Sequence, residues 1–133
     1  MEIQTEQFGV HLMVDGYGAP ADILSDKDAL KQLLVELPAI MGMHTISEPF
    51  TVEVGPLNKK DPGGVSGFIL IAESHISFHT FPARGFATID VYTCQDELDT
   101  EGFISLFKEK FGFKNVDSYI QKRGLHYPSE NFQ

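Results

Sequence analysis

Phe8, Val10, Leu12 and Val14 alternate with Gly9, His11, Met13 and Asp15, the period-two pattern of a strand with one buried face over residues 8–15. The stretch from Gly16 to Pro20 then breaks it. Ser25 followed by Asp28 resembles a capping box, and Leu30, Leu33, Leu34, Leu37 and Met41 recur at helical spacing. This predicts a helix from near Asp26, with Pro38 kinking or ending it. Phe50 to Val54 alternates again as a strand, and Gly55 to Gly64 is a turn-rich loop. Val65 to Ala72 is a short apolar run, and Ile76 to Phe81 and Phe86 to Cys94 alternate, which predicts three consecutive antiparallel strands. Thr100 before Glu101, a stripe of Phe103, Ile104, Phe107 and Phe111, and Gly112 at its end mark a second helix. Val116 to Ile120 reads as a last strand and the tail after Arg123 as loosely ordered. Strands grouped together, with two helices each owning one apolar stripe, predict an α+β two-layer sandwich: an antiparallel sheet with both helices on one face.

The length of 133 residues suits one domain, and 42% apolar residues with eleven Phe can supply its core. No apolar run reaches the roughly 18 residues of a membrane span, and the start lacks the basic then apolar layout of a secretion signal, so a cytoplasmic protein is expected. Ten Lys and Arg against nineteen Asp and Glu give a formal charge of −9, the wrong sign for neutralising a phosphate backbone. Neither nucleic acid nor membrane is an expected partner. The single cysteine, Cys94, can form no internal disulfide and no thiolate zinc site, which leaves it as a small core residue or as chemistry.

Polar residues that are costly to bury stand together in the strand region: Ser66, Glu73, Ser74, His75, His79 and Cys94. Taken singly, such residues in strands are more often hydrogen-bonded structure than catalysts. His75 and His79 are four apart, a metal-ligand spacing on a helix, but on a strand four residues span about 13 Å, too far for two zinc ligands, so no metal site is expected. Ser74, His79 and Asp90 contain the residue types of a hydrolase triad without the Gly-x-Ser-x-Gly elbow, and residues 63–67 lack the lysine of a phosphate loop. A third chemistry needs less. If Glu73-Ser74 is a self-cleavage site, the Ser74 hydroxyl attacks the preceding carbonyl, and a base then removes the serine α-proton and expels the ester, leaving a pyruvoyl group. His79 is a fitting base, although a straight strand puts it on the opposite face from Ser74, so a tight turn over Glu73 to His75 is expected to restore their contact.

Residues 64–82, from Gly64-Val-Ser-Gly through Glu73-Ser74-His75 to His79-Thr-Phe-Pro82, and residues 87–94, ending in Tyr92-Thr-Cys94, resemble the prokaryotic pyruvoyl S-adenosylmethionine decarboxylase proenzymes. The first strand, Phe8 to Leu12, and the turn Gly16 to Gly18 extend the likeness over nearly the whole chain. The resemblance implies an α+β fold, cleavage between Glu73 and Ser74 into residues 1–73 and 74–133, and a homodimer of cleaved units with sites near the interface. It implies that Ser74 becomes the pyruvoyl cofactor, that His79 is the proton acceptor in processing and Ser66 steers that step. Cys94 then donates a proton to the substrate carbon. A pyruvoyl carbonyl condenses with the substrate amine to a Schiff base and withdraws the electrons released as carbon dioxide leaves, so no soluble cofactor is needed. A free thiol is mostly protonated at pH 7 and can give that proton. The implied product is the aminopropyl donor of spermidine synthesis.

Two positions depart from the family pattern. Members usually carry Glu right after the His-Thr-aromatic-Pro run, where it is expected to hold the ribose, and this chain has Ala83 and Arg84. Many members have an adenine-stacking aromatic a few positions before Gly-Val-Ser-Gly, and this chain has Asn58 to Gly63, leaving Phe81 as the candidate stacking face for a small-molecule substrate. Pyruvoyl relatives that decarboxylate arginine or ornithine are the second reading. A retired proenzyme acting as a binding partner is the third.

Overall fold

The computed structural model describes residues 3–132. Along it run β1 (Thr5–Glu6), β2 (Gly9–Tyr17), α1 (Ala21–Leu24), α2 (Lys27–Ile40), β3 (Phe50–Val54), β4 (Gly64–Ile71), β5 (Ser74–Phe81), β6 (Phe86–Thr93), α3 (Thr100–Phe111), β7 (Asn115–Arg123) and β8 (Tyr127–Pro128), with a 3-10 turn at Pro82–Arg84. Six strands form one sheet in the order β3-β4-β5-β6-β2-β7, every neighbouring pair antiparallel. The α+β architecture and the consecutive β4-β5-β6 meander match the sequence pattern. The insertion of β2 between β6 and β7 does not follow from local alternation.

Alternation assigns the two faces of the sheet. Val10, Leu12 and Val14 on β2, Ile69 and Ile71 on β4, Ile76 and Phe78 on β5, and Ile89 and Val91 on β6 are buried against the helices. The leucines of α2, Leu30, Leu33, Leu34 and Leu37, and the phenylalanines of α3, Phe103, Phe107 and Phe111, complete the core. Phe107 and Phe111 meet edge to face with centroids 6.2 Å apart, and Phe111 meets Phe78 of the sheet at 6.0 Å. Full burial of each such side chain is worth about 1.5–3 kcal/mol, so these rings hold α3 to the sheet. Gly112 ends α3 at φ 78°, its N–H donating to the Lys108 carbonyl at 3.0 Å.

Four local expectations are corrected. The α2 cap is Asp26, whose carboxylate accepts from Ala29 N–H at 3.1 Å; Ser25 closes the unanticipated α1 instead, donating to the Ala21 carbonyl at 2.7 Å. Pro38 lies in the last turn of α2, which runs two residues further to Ile40 with no break. The tail is not loose: β8 pairs antiparallel with β1, and Ser129 N–H donates to the Gln4 carbonyl at 2.9 Å. β7 pairs with the whole of β2, from Gly9 opposite Arg123 to Tyr17 opposite Asn115, which extends it well beyond residues 116–120. Among the described residues no helix is long and apolar enough to cross a membrane.

Both helical elements flanking the core leave the other sheet face uncovered. Ser66, Phe68 and Leu70 of β4, His75, Ser77 and His79 of β5, and Thr88, Asp90 and Tyr92 of β6 alternate with the buried set and therefore lie on it.

Candidate active site

Antiparallel pairing of Ile71 with Ser74 makes Ala72 and Glu73 the two turn residues of the β4–β5 hairpin. Two-residue hairpin turns favour Gly or Asn at positive φ, and this turn has neither. The unfavourable angle falls on Ser74, at φ 153° the single non-glycine residue with positive φ among the described residues. An L-residue held in such a region costs on the order of 1–3 kcal/mol and persists only where neighbours over-determine it.

Two neighbours do so. The carbonyl oxygen of Glu73, the acyl oxygen of the Glu73–Ser74 peptide, accepts from Cys94 N–H at 2.8 Å. On the other side, His44 N–H donates to Glu73 Oε1 at 3.1 Å and His44 Nδ1 lies 2.9 Å from Oε2, while Ala72 N–H donates to the His44 carbonyl at 2.7 Å. A carboxylate only accepts, so the proton sits on Nδ1. The His44 side-chain bond, then its backbone bond, hold the Glu73 carboxyl below its usual range. That grip is complete at neutral pH and is lost only as pH falls through the depressed value. Gly9 lets β2 close on this corner: a Cβ there would stand 2.1 Å from the Thr93 carbonyl oxygen and 3.0 Å from Cys94 Cα. The Cys94 thiol belongs to an exposed residue one position past the end of β6.

Ser66 and His79 form a second group. They are directly opposed across β4 and β5, and Ser66 Oγ lies 2.7 Å from His79 Nδ1. His79 is exposed on the uncovered face. The expected tight turn that would bring His79 to Ser74 is absent, because β5 runs as one strand from Ser74 through Phe81. Five residues of strand separate the two by about 16 Å, on opposite faces. The residues predicted to act together therefore fall into two sets, Glu73–Ser74–Cys94 at the hairpin tip and Ser66–His79 near mid-sheet.

Phe81 is at the far end of β5. Its ring stacks on Phe86 at 5.7 Å, and Phe86 meets Tyr17 at 5.4 Å. These three rings with Asn58, Lys60, Asp61 and Arg84 line a cavity of about 590 Å³. A smaller cavity over Ser66 and His79 shares Asp61 and Phe81 with it, so the two lie side by side. Ala83 is exposed beside Arg84. His75, next to Ser74, lies on the open face 5.6 Å from the Tyr92 ring; burial first, then the nearby His11, lowers its pKa and so favours its neutral form. Sequence reasoning missed His44, Tyr17 and Phe86. Aromatic alternation could have flagged the last two, but nothing local marks His44, which meets Glu73 from 29 positions away.

This is an α+β protein of the open-faced type, its candidate site residues carried at a hairpin tip and on the sheet face opposite the helices. Residues 10–124 match the family model described as S-adenosylmethionine decarboxylase. The S-adenosylmethionine decarboxylase proenzyme of Thermococcus gammatolerans is 33% identical over 129 residues, covering 97% of this chain and 85% of its own. That of Clostridium kluyveri is 32% identical over 119 residues, covering 90% and 89%. The crystal structure of the adenosylmethionine decarboxylase from Aquifex aeolicus superposes with a TM-score of 0.76 at 30% identity, covering 96% of this chain and 99% of that one. The chain belongs to the S-adenosylmethionine decarboxylase family.

Proposed function

We propose that this protein is a proenzyme that cuts itself between Glu73 and Ser74, converts Ser74 to a pyruvoyl group, and decarboxylates S-adenosylmethionine as a cytoplasmic dimer of cleaved units, yielding the aminopropyl donor for spermidine synthesis. The observation that carries the reading is the Glu73–Ser74 peptide itself: a serine at strained φ, preceded by a carbonyl oxygen already bonded to a fixed N–H. Ser74 Oγ adds to the Glu73 carbonyl carbon as its proton passes to a base. The negative charge develops on the oxygen that Cys94 N–H holds, so the donor is preorganised for the tetrahedral stage. The C–N bond breaks as nitrogen takes a proton, giving an ester. Removal of the Ser74 α-proton expels the main-chain carboxylate of Glu73 from the serine β-carbon; the enamine left behind tautomerises to an imine, water adds, and ammonia leaves.

His79 is the base of this reading. With Nδ1–H donating to Ser66 Oγ, Nε2 is left as the acceptor, which is how Ser66 steers the step. A base acts within roughly 3 Å, or through one water, of the proton it takes, and His79 of the same chain lies far beyond that from Ser74. A second copy whose open face packs on this one and reaches past the hairpin tip supplies His79 and Ser66 to this chain's Ser74 and Cys94. Phe50 at 52% exposure and Phe68 at 43%, ring to ring at 5.6 Å, give that face an apolar patch for a partner to bury.

After processing, the pyruvoyl carbonyl on residue 74 supplies the sink for the electrons released as carbon dioxide leaves. Cys94 then returns a proton to the substrate carbon. Its two roles separate by mutation: Cys94→Ala keeps the backbone N–H on the Glu73 carbonyl, so cleavage is expected to proceed, while turnover falls about 10²–10⁴-fold for want of the thiol. Denaturing mass spectrometry and carbon dioxide release on the same sample check both halves, and a matching loss of cleavage would show that the thiol belongs to processing.

The substrate reading rests on the cavity next to Ser66 and His79. Its three aromatic rings suit a nucleobase, and neither arginine nor ornithine carries a ring system that could stack on them. The absence of a carboxylate at Ala83 removes one ribose contact, worth about 1.5–3 kcal/mol when charged. Carbon dioxide release from S-adenosylmethionine, arginine and ornithine, measured side by side on processed protein, is expected to give the highest kcat/KM for S-adenosylmethionine, raised further by Ala83→Glu. A higher value for either amino acid overturns this assignment in favour of the second reading.

A further inference from the structure

The Glu73 side chain supplies neither nucleophile, base nor proton donor, yet it is the most firmly held side chain at the hairpin tip. Its carboxylate is 15% exposed and takes two bonds from one residue, His44 N–H at 3.1 Å and His44 Nδ1 at 2.9 Å. His44 itself is anchored on both sides. Before it, Met43 is buried and its N–H donates to the Pro38 carbonyl at 2.8 Å, at the end of α2. After it, Thr45 bridges to Ile71, Ile46 N–H donates to the Leu70 carbonyl at 3.0 Å, and Leu70 N–H donates to Ser47 Oγ at 3.0 Å, so residues 44–47 lie along the last turn of β4 backbone. The tip is thus gripped from the α2 side by His44 and from the β6 side by Cys94, with the Glu73–Ser74 peptide between them.

We propose that His44 is a positioning residue for self-cleavage: by holding the Glu73 carboxylate and the Ala72 N–H, it keeps the Glu73 carbonyl against Cys94 N–H and Ser74 in the strained conformation from which its hydroxyl attacks. The inference deepens the self-cleavage reading and rests on it. Free of the grip, the turn relaxes toward an ordinary φ at Ser74, and hydroxyl and carbonyl carbon lose the alignment that the attack requires. Displacement of reacting atoms by about 1 Å costs on the order of 10²-fold in rate. The His44 ring is 78% exposed and only one of three contacts, so its own share is smaller.

The test is a time course of cleavage after cell-free synthesis of the full chain, read by denaturing mass spectrometry. His44→Ala, which keeps the two backbone bonds, is expected to slow cleavage about ten-fold. His44→Asn, whose amide nitrogen stands near the position of Nδ1, restores most of the rate. Glu73→Ala slows cleavage as well, and adding His44→Ala to it changes nothing further, a non-additivity that a general folding role does not produce. Thermal unfolding of His44→Ala in a Ser74→Ala background, where nothing is cut, shows the fold intact. Wild type that cleaves while His44→Ala cleaves equally fast, or slowing by His44→Ala that multiplies with that of Glu73→Ala, overturns the role of His44 and leaves the self-cleavage reading standing. A wild-type chain that never cleaves overturns both.

Discussion

Ser74→Ala is expected to remain one uncut chain, whereas the wild type separates in denaturing mass spectrometry into residues 1–73 and 74–133, the second without a free amino terminus because it begins with a ketone. The effect is all or none, since alanine has no oxygen to take the acyl group and no β-leaving group to expel. Folding is not the cause of the loss: the substitution deletes no hydrogen bond of the Ser74 side chain among the described residues, and the φ of 153° is no worse for alanine than for serine. The fragments are expected to stay together under native conditions, because β4 and β5, which the cut divides, remain paired from Ile71 opposite Ser74 to Ser66 opposite His79. If the wild type is still a single chain after prolonged incubation, the enzyme reading fails and the protein is better regarded as a binding partner on a proenzyme scaffold.

The second large effect concerns His79. His79→Ala alone is expected to slow processing by about 10²–10⁴-fold, the usual contribution of a positioned base. What distinguishes a base supplied across a dimer from one supplied within the chain is mixing. Expressed alone, Ser74→Ala stays whole and His79→Ala stays largely uncut over the time in which the wild type is processed. In a dimer of one of each, Ser74 of the first faces the intact His79 of the second. With random assortment, about half of the His79→Ala chains sit in such dimers and are expected to be cut, while no Ser74→Ala chain is. Two chains tagged with different masses and co-expressed, then separated by denaturing mass spectrometry, report this directly. Cleavage in neither chain of a mixture that co-purifies as a dimer would show that the base acts from within its own chain or is another residue. The separation of about 16 Å along β5 argues for the first outcome.

Much of the protein was legible in its amino-acid order. Alternation is set by residues two apart on one strand, so the buried sets Val10, Leu12, Val14 and Ile76, Phe78 could be read without knowing any partner. The stripe of Phe103, Phe107 and Phe111 and the glycine after it likewise define α3 and its end from within a dozen positions. The run through Ser66, Glu73, Ser74 and His79 to Cys94 marked the candidate chemistry, because polar residues in an otherwise apolar strand region need a reason to be there. Short-range cues failed where two answers were locally equivalent. Asp26 and Ser25 can both cap a helix, and only the presence of α1 assigned each to its own end.

Tertiary structure alone decided the rest. Every strand carries the same backbone donors and acceptors, so nothing local tells β2 to lie between β6 and β7 or draws the tail onto β1. His44 gives no periodic signal, and it matters only because the path from α2 to β3 lays residues 44–47 along β4 and brings its ring to Glu73. The contact between Cys94 N–H and the Glu73 carbonyl likewise arises from the pairing of Ser74 with Thr93, a register between strands that the spacing of either does not specify. The separation of Ser74 from His79 is the clearest case: residue order placed a candidate nucleophile and a candidate base five positions apart, and only the extended course of β5 turned that short interval into about 16 Å.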